Sequence, residues 1–234
     1  MGSAGFGRGR EIGSQGLMAS QIIYGKQPVA EAERGRRGVN RVWRAPETSA
    51  EELERLCGSP DHQGVVAEVD PYPYGDAPGL LRRENALIVA LDQVQDPRNL
   101  GAVCRSAEFA GAAGVVIPDR RSAQVTAVTC KASAGAVEHL EVAHVRNLAD
   151  WLTEAKEAGF WLWGADAEAN QAPWSVDLKG PTVLVLGGEG RGIRPRVASI
   201  CDGLIALPSR GKVGSLNVSA AATALLFEAI RQRV

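Results

Sequence analysis

Two polar segments near the carboxyl end of the chain have residue types that suit the binding of a small charged ligand. The first, Gly187-Gly188-Glu189-Gly190, is followed by Gly192, so the backbone can approach a ligand closely. The second lies within residues 209–217 and directly precedes an apolar spacing typical of a helix. The start of that helix can bind an anion or a carboxylate, although the same residues equally suit a capped amphipathic helix. The polar side chains of the second segment are Ser209, Arg210, Lys212, Ser215 and Asn217.

Each polar segment follows a short apolar run that predicts a β-strand, Thr182–Leu186 in one case and Leu204–Leu207 in the other. Because strand, loop and helix succeed one another twice, we expect both loops at one edge of a ligand-binding α/β sheet. Two common nucleotide-binding motifs do not fit these loops. Ile193 stands where a dinucleotide fingerprint needs its third glycine, and Val213 follows Gly211-Lys212 where a phosphate-binding P-loop needs Ser or Thr.

Three segments resemble, in order, the three motifs of a known family. They are DPRNLGAVCRSAEFAGAAGVVIP from Asp96, GGEGRGI from Gly187 and IALPSRGKVGSLNVSAA from Ile205. Together they resemble the SpoU/TrmH family of RNA ribose 2′-O-methyltransferases, in the SPOUT superfamily, over residues 84–234. The resemblance implies an α/β fold with a SPOUT-type parallel sheet, a deep trefoil knot in the C-terminal segment, S-adenosyl-L-methionine as cofactor and a homodimer. Ordinary rules for chain connections predict an unknotted sheet instead.

The resemblance also implies roles for individual residues. The side chains on the family's catalytic positions are Asn99, Arg105, Glu189, Ser215 and Asn217. The positions implied to bind the cofactor are Leu186, Gly187, Gly188, Glu189, Gly190, Ile205, Leu207, Pro208, Ser215 and Leu216. Considered alone, Asn99 also suits a helix N-cap, and Arg105 also suits a surface cation. A guanidinium is a poor proton acceptor, so we favour a grip on a phosphate and stabilisation of an alkoxide for Arg105, with the base role open.

The composition is that of a soluble globular protein, with 234 residues, 45% hydrophobic and 23% charged. No apolar run is long enough to cross a membrane, and the amino-terminal residues lack the apolar region of a signal peptide. A cytoplasmic location is therefore expected. The four cysteines and three histidines show no metal-ligand spacing, so no metal is expected.

Positive charge is concentrated in the first 45 residues, although the whole chain has a formal net charge of −1. This distribution predicts an RNA-binding surface that contains Arg34, Arg36, Arg37 and Arg41. An ordinary solvated surface explains the same charges equally well.

The amino-terminal part of the chain predicts a tail and a small domain. Residues 1–20 are rich in Gly, Ser and Arg, which predicts a disordered tail or an added, non-native sequence, with Met18 as a candidate native start. Residues 21–79 predict alternating strands and helices and resemble a shortened L30e/L7Ae-like α+β domain that binds RNA substrate. One helix and one strand of that domain are missing, which weakens its independent core. Prolines and glycines in residues 71–79 predict a linker, with the catalytic domain at residues 80–234.

Beyond Gly79, apolar runs alternate with helical patterns, which predicts a largely parallel sheet covered on both faces. The expected strands are 86–91, 114–117, 140–145, 160–164, 182–186 and 204–207, and the expected helices are 99–110, 122–133, 147–158 and one after Asn217. The apolar face of the first of these helices is compatible with burial in the expected subunit interface. It consists of Leu100, Val103, Ala107 and Ala110.

The family resemblance implies transfer of a methyl group from S-adenosyl-L-methionine to a ribose 2′-hydroxyl in RNA. The segment HQGVVAEVDPYPY most resembles family members that modify a guanosine of 23S rRNA. The alternatives are a tRNA ribose methyltransferase, a non-catalytic RNA-binding assembly factor with the same fold, and an unrelated nicotinamide-dependent enzyme. The five residues on catalytic positions argue against the assembly factor, and the failed fingerprint argues against the nicotinamide enzyme.

Overall fold

In the computed structural model, residues 20–234 form two β-sheets that share a continuous hydrophobic core. The predicted tail comprises residues 1–20, of which residues 1–19 lie outside the described residues. The amino-terminal sheet is antiparallel, with the order β1-β3-β2. Its elements in chain order are β1 (Gln21–Tyr24), α1 (Lys26–Ala32), β2 (Val39–Arg44), α2 (Ala50–Cys57) and β3 (Val65–Val69). The predicted alternation of strands and helices is confirmed here.

The second sheet has six parallel strands in the order β6-β5-β4-β8-β7-β9. The strands are β4 (Leu87–Asp92), β5 (Gly114–Pro118), β6 (Val142–Val145), β7 (Trp161–Ala165), β8 (Thr182–Gly187) and β9 (Gly203–Ile205). The helices are α3 (Ala77–Leu80), α4 (Pro97–Phe109), α5 (Ala127–Ala132), α6 (Leu148–Glu157), α7 (Pro195–Ala198) and α8 (Val218–Arg233). The predicted parallel sheet is therefore confirmed.

Alternate residues along a central strand face two separate apolar layers, as the pleat of a strand requires. Leu87, Val89 and Leu91 of β4 face the layer built by α4, α5 and α8. Ile88 and Ala90 face the layer built by α3, α6 and α7. Both faces of the sheet are thus covered, which explains why its strands are continuous apolar runs.

The helix expected over residues 122–133 is limited to the short α5, so this prediction is wrong in its first half. Residues before α5 bond to other parts of the chain. The backbone N–H of Ala123 donates to the carbonyl of Val94 at 2.8 Å, and that of Val125 donates to the Tyr74 hydroxyl at 2.9 Å. These donors are therefore tied to the core rather than to a helix.

The apolar face of α4 lies inside the chain. Leu100, Val103 and Ala107 are at most 1% exposed and belong to the chain's own core, and Ala110 packs against it. This face is therefore covered by the chain's own core and is not free to form the expected subunit interface. The α4 residues that remain exposed include Arg105 and Phe109.

The joint between the two sheets contains a buried ion pair. Arg37 bonds Glu138 with its Nη2 2.5 Å from Oε1 and its Nε 3.0 Å from Oε2, and each side chain is 1% exposed. The neighbouring Arg36 donates to the Leu140 carbonyl at 2.7 Å and to the Tyr72 hydroxyl at 3.2 Å. The amino-terminal unit is therefore anchored on the second sheet, which compensates for its small core.

The first part of the expected linker at residues 71–79 is packed against the second sheet. The Tyr72 hydroxyl donates to the Val137 carbonyl at 2.8 Å, and the Gly75 N–H donates to the Val142 carbonyl at 2.8 Å. The chain thus joins the second sheet before Gly79, the predicted boundary. The segment is extended but is held in place.

No helix within residues 20–234 is long and apolar enough to cross a bilayer. The same residues contain no group of three His, Cys, Asp or Glu side chains placed to hold a metal ion. The four cysteines are free, and Cys104 and Cys130 are buried.

Candidate active site

The carboxyl ends of β4 and β8 lie side by side at the point where the strand order reverses, a common ligand-binding position in α/β sheets. Asp92 at the end of β4 is fully buried. Its carboxylate accepts hydrogen bonds from the backbone N–H and the Nε of Arg194, both at 2.8 Å, and its carbonyl accepts one from the Gly188 N–H at 2.9 Å. Because a buried carboxylate requires such partners, Asp92 fixes both sides of the glycine-rich loop.

The glycine-rich loop, residues 187–192, folds back on itself. The Gly192 N–H donates to the Gly188 carbonyl at 3.1 Å. A Cβ atom on Gly188 would lie 2.5 Å from the Gln93 carbonyl oxygen, and a Cβ atom on Gly187 would collide with the Gly192 backbone. Close packing therefore requires glycine at both positions.

Three side chains from distant parts of the chain meet beside this loop. Asn99 Nδ2 donates to Glu189 Oε1, while Asn217 Nδ2 lies 3.0 Å from Asn99 Oδ1 and 3.2 Å from Glu189 Oε1. We call Asn99, Glu189 and Asn217 the amide–carboxylate cluster. Asn99 is buried, whereas Glu189 and Asn217 are exposed. The cluster joins α4, the glycine-rich loop and the start of α8, and two amides fix the orientation of one carboxylate.

The helix caps show which of these side chains are free for other tasks. Asp96 caps α4 by accepting from the Arg98 N–H at 2.7 Å, so Asn99 is not the cap. Asn217 does cap α8, because its Oδ1 accepts from the Ser219 N–H at 2.8 Å. Its Nδ2 remains available and serves the amide–carboxylate cluster.

Arg105 and Ser215 do not join the cluster. Arg105 lies on the exposed side of α4, about 9 Å along the helix axis from Asn99. Ser215 lies in the exposed loop before α8. Within residues 20–234 neither side chain has a hydrogen bond or a salt bridge. The structure thus brings together three of the five predicted catalytic residues.

A cavity of about 300 Å³ opens beside the amide–carboxylate cluster. Residues 93–96 and Asn99 line one side, and Gly188, Glu189, Arg191 and Gly192 line the other. Four of these nine lining residues belong to the glycine-rich loop, and two of the four are glycines. Such a wall suits a ligand that needs close approach and a few polar contacts.

The residues predicted to bind the cofactor occupy three environments along the same edge of the sheet. Leu186 and Ile205 are buried strand ends, and Leu207 is half-buried against the core. The glycine-rich loop contributes Gly187, Gly188, Glu189 and Gly190, and the exposed loop before α8 contributes Pro208, Ser215 and Leu216. Apolar strand ends beside bare backbone and polar loops fit a ligand with an aromatic ring and a charged tail, so S-adenosyl-L-methionine fits these residues.

The arginines predicted to bind RNA differ in exposure. Arg37 is buried in the joint between the sheets, so the prediction that it contacts RNA is wrong. Arg36 is also committed to that joint. Arg34 is exposed but pairs with Glu31 at 3.2 Å, and Arg41 is exposed above the ring of Trp43 at 4.9 Å.

The positions of Asp92 and Arg194 were not predicted from the sequence. The available signal for Asp92 was a charged residue that directly ends the apolar run of β4. Arg194 lies 102 residues away in the sequence, so only the fold reveals their pairing.

A parallel α/β sheet with a glycine-lined cavity at its reversal point defines a ligand-binding enzyme fold. A family model described as the SpoU rRNA Methylase family matches residues 86–227. A second model, for RNA 2′-O ribose methyltransferase substrate binding, matches residues 46–75. The chain therefore belongs to the SpoU rRNA Methylase family, as its three motifs predict.

Named relatives agree with this assignment. The 23S rRNA (guanosine-2′-O-)-methyltransferase RlmB of Xanthomonas campestris pv. campestris is 45% identical over 78% of this chain and 75% of its own length. An uncharacterized tRNA/rRNA methyltransferase of Synechocystis sp. is 36% identical over 94% of this chain, which spans 64% of that relative. The solved structure of the SpoU methyltransferase AviRb from Streptomyces viridochromogenes, in complex with AdoMet, has a TM-score of 0.76 and 28% identity, and covers 92% of this chain and 91% of its own.

Proposed function

We propose that this chain transfers a methyl group from S-adenosyl-L-methionine to the ribose 2′-hydroxyl of a guanosine in 23S rRNA. The observation that carries the proposal is the amide–carboxylate cluster beside a glycine-lined cavity. The named activity of the Xanthomonas relative and the cofactor in the Streptomyces structure support it.

We assign cofactor binding to the residues that surround the loop edge. The backbone of 187–190 approaches the cofactor, Leu186, Ile205 and Leu207 contact its apolar ring, and Pro208, Ser215 and Leu216 flank it. When bound, S-adenosyl-L-methionine supplies a methyl group activated by a sulfonium. No metal ion takes part in this proposal.

The amide–carboxylate cluster is assigned to the ribose. Both amides donate to Oε1 of Glu189, and within the described residues Oε2 has no hydrogen-bond partner. Oε2 can therefore accept a hydrogen bond from a ribose hydroxyl, while Asn99 and Asn217 hold the carboxylate in place. Arg105 grips the adjoining phosphate and stabilises the alkoxide as the 2′-hydroxyl gives up its proton to water.

The active unit is proposed to be a homodimer that buries the outer surface of α4 and α8. Phe109 and Phe227 stack there with ring centroids 6.0 Å apart, although their exposed fractions are 75% and 46%. Arg105 lies one helical turn before Phe109 and so faces the same way. A second copy on this surface would bury the two rings and place Arg105 at the interface. Light scattering that gives the mass of one chain at micromolar concentration would contradict this.

Three further assignments complete the proposal. Residues 21–79 form a shortened L30e-like unit that binds RNA, supported by their antiparallel sheet and the match of residues 46–75 to a substrate-binding model. The C-terminal segment forms a trefoil knot, supported by family membership and by the return of α8 against α4. The protein works in the cytoplasm, where ribosomal RNA is modified.

Two measurements test the function. Calorimetry should detect binding of S-adenosyl-L-methionine but not of NAD. Labelled methyl transfer should then appear in unmodified 23S rRNA transcribed in vitro and not in tRNA transcripts. Transfer to tRNA alone, or cofactor binding without transfer to either RNA, would contradict the proposal.

A further inference from the structure

A second, larger cavity lies along the same carboxyl edge of the sheet, with a volume of about 920 Å³. Its lining contains five arginines and two carboxylates, Asp150 and Glu154. The arginines are Arg120 and Arg121 after β5, Arg146 after β6, and Arg194 and Arg196 after the glycine-rich loop. We call this cavity the arginine groove.

Three of the five arginines are not engaged by the protein. Arg194 and Arg196 pair with carboxylates of the chain, at Nη2–Oδ1 distances of 2.7 and 3.0 Å. Arg120, Arg121 and Arg146 are exposed, and within residues 20–234 none of them makes a salt bridge or a side-chain hydrogen bond. A guanidinium without a carboxylate partner keeps its planar fork available for a phosphate.

The arginine groove adjoins the cavity beside the amide–carboxylate cluster. Gln93, which follows β4, lines both cavities. Adjacent strands β4, β5 and β6 lie about 4.8 Å apart, so the groove extends on the order of 10 Å from Gln93 toward Arg146. Gln93 and Arg121 both adopt positive φ angles, 63° and 58°, which are uncommon for residues with side chains. The loops that shape the groove are thus held in specific conformations.

We propose that the arginine groove binds the phosphodiester backbone of the RNA strand that flanks the methylated nucleotide. The proposal rests on the proposed function, because that function places a ribose beside Glu189. A single phosphate would engage one end of the groove, whereas successive phosphates of one strand match three free arginines spread over two adjacent strand ends. An acidic protein segment carries similar charge, but the position of the groove beside the proposed ribose site favours RNA as its ligand.

The test compares two double variants with equal changes in charge. Arg120→Gln/Arg146→Gln removes two of the three free positive charges of the groove. The control, Arg82→Gln/Lys179→Gln, neutralises two exposed cations that precede β4 and β8 and so lie at the opposite edge of the sheet. Binding of 23S rRNA transcribed in vitro is titrated across a potassium chloride series. Calorimetry with S-adenosyl-L-methionine and thermal unfolding accompany each variant.

The groove variant should flatten the plot of log affinity against log salt by about 1.4, because each phosphate on a single strand that is no longer neutralised reduces the slope by about 0.7. Its KM for RNA should rise at least tenfold, while kcat at saturating RNA and the cofactor affinity stay near those of the parent. The control should match the parent in all four measurements. A groove variant with the salt slope of the control would overturn the proposal.

Two further outcomes distinguish RNA binding by the groove from binding of an acidic protein and from the proposed methyl transfer. Competition by a polyglutamate peptide as strong as competition by RNA of equal charge would identify the groove as a protein site and overturn the proposal. Because binding is measured without turnover, a groove variant that lowers the salt slope supports the groove even if the parent transfers no methyl group. In that case only the proposed methyl transfer is contradicted, and RNA binding by the groove is kept.

Discussion

The joint between the two sheets and the carboxyl edge of the larger sheet both unite polar side chains that lie more than a hundred residues apart. In the joint, Arg37 and Glu138 are each 1% exposed and satisfy one another. At the edge, Asn99 is buried, but Glu189 and Asn217 are exposed beside a cavity. Buried polar groups whose hydrogen bonds are satisfied within the protein stabilise the fold. A cluster with a carboxylate oxygen that lacks a protein partner can still bind a ligand.

The same contrast separates the arginines of the molecule. Arg36 and Arg37 belong to the most basic run of the sequence, yet they are committed to the joint. Arg120, Arg121 and Arg146 are less conspicuous in the sequence, but they remain exposed along the groove. Local charge density therefore does not identify the cations that are available to RNA.

Replacing Arg37 should have the largest effect on stability, because Arg37→Ala leaves Glu138 buried without a partner. The expected loss in free energy of unfolding is about 3–5 kcal/mol, measured by denaturant titration. Arg37→Met/Glu138→Leu removes both charges and should recover most of this loss. Arg34→Ala breaks an exposed pair and should cost less than about 1 kcal/mol. Equal losses in free energy of unfolding for Arg34→Ala and Arg37→Ala would contradict the stabilising role of the Arg37–Glu138 pair.

Replacing Glu189 should show the opposite pattern, with activity lost and stability kept. Glu189→Ala should lower kcat about 10²- to 10³-fold, the effect of removing one preorganised polar group, while the exposed site keeps unfolding nearly unchanged. Asn99→Ala should lower kcat similarly. Because the two side chains act as a unit, the double variant should lose little more than either single variant. Multiplicative losses would show that they act independently.

Arg105→Ala should reduce methyl transfer about 10- to 100-fold, the equivalent of one charge-assisted hydrogen bond, and leave cofactor affinity intact. Calorimetry and single-turnover kinetics separate the two quantities. Full transfer by Arg105→Ala on 23S rRNA would show that Arg105 is only a surface cation.

Arg105→Lys distinguishes the roles left open for this residue. Lysine keeps the charge but loses the planar fork, so a bidentate phosphate grip predicts a large loss, whereas a point charge predicts substantial rescue. A proton-acceptor role predicts that the lysine variant gains activity as pH rises toward about 10, the ordinary pKa of lysine.

The smallest effect is expected from the exposed amino-terminal arginines. Arg34→Ala/Arg41→Ala should weaken RNA binding slightly and flatten its salt dependence by about 0.7 for each phosphate that the variant no longer neutralises. Cofactor affinity should stay constant, because the cavity lies in the other unit. Equal RNA affinity of parent and variant at every salt concentration would assign these two arginines to ordinary solvated surface.

The sequence was sufficient to predict the elements of secondary structure that depend on local residue patterns. Apolar runs located the strands of the larger sheet, and alternation with helices predicted their parallel arrangement. The length of α5 was overestimated, because Val125 donates its backbone hydrogen bond to Tyr74, a partner that no local pattern reveals. Burial of Arg37 likewise depends on Glu138, 101 residues away.

The candidate site was predictable only in part for the same reason. Residue spacing alone left Asn99 as a plausible N-cap, and the family resemblance implied its functional position. The structure resolves the choice, because Asp96 supplies the cap and Asn99 bonds Glu189 and Asn217. Arg105 and Ser215 lie apart from this cluster, so their catalytic roles stay predictions.

The most direct test of the proposed function is a map of 2′-O-methylated riboses in 23S rRNA from cells that lack the gene. The strain is complemented with the parent or with Glu189→Ala, and the abundance of each protein is checked. We expect that one guanosine loses its methyl group, regains it with the parent and stays unmodified with Glu189→Ala. A map that does not change on loss of the gene, or one that Glu189→Ala restores as fully as the parent, would contradict the proposed function.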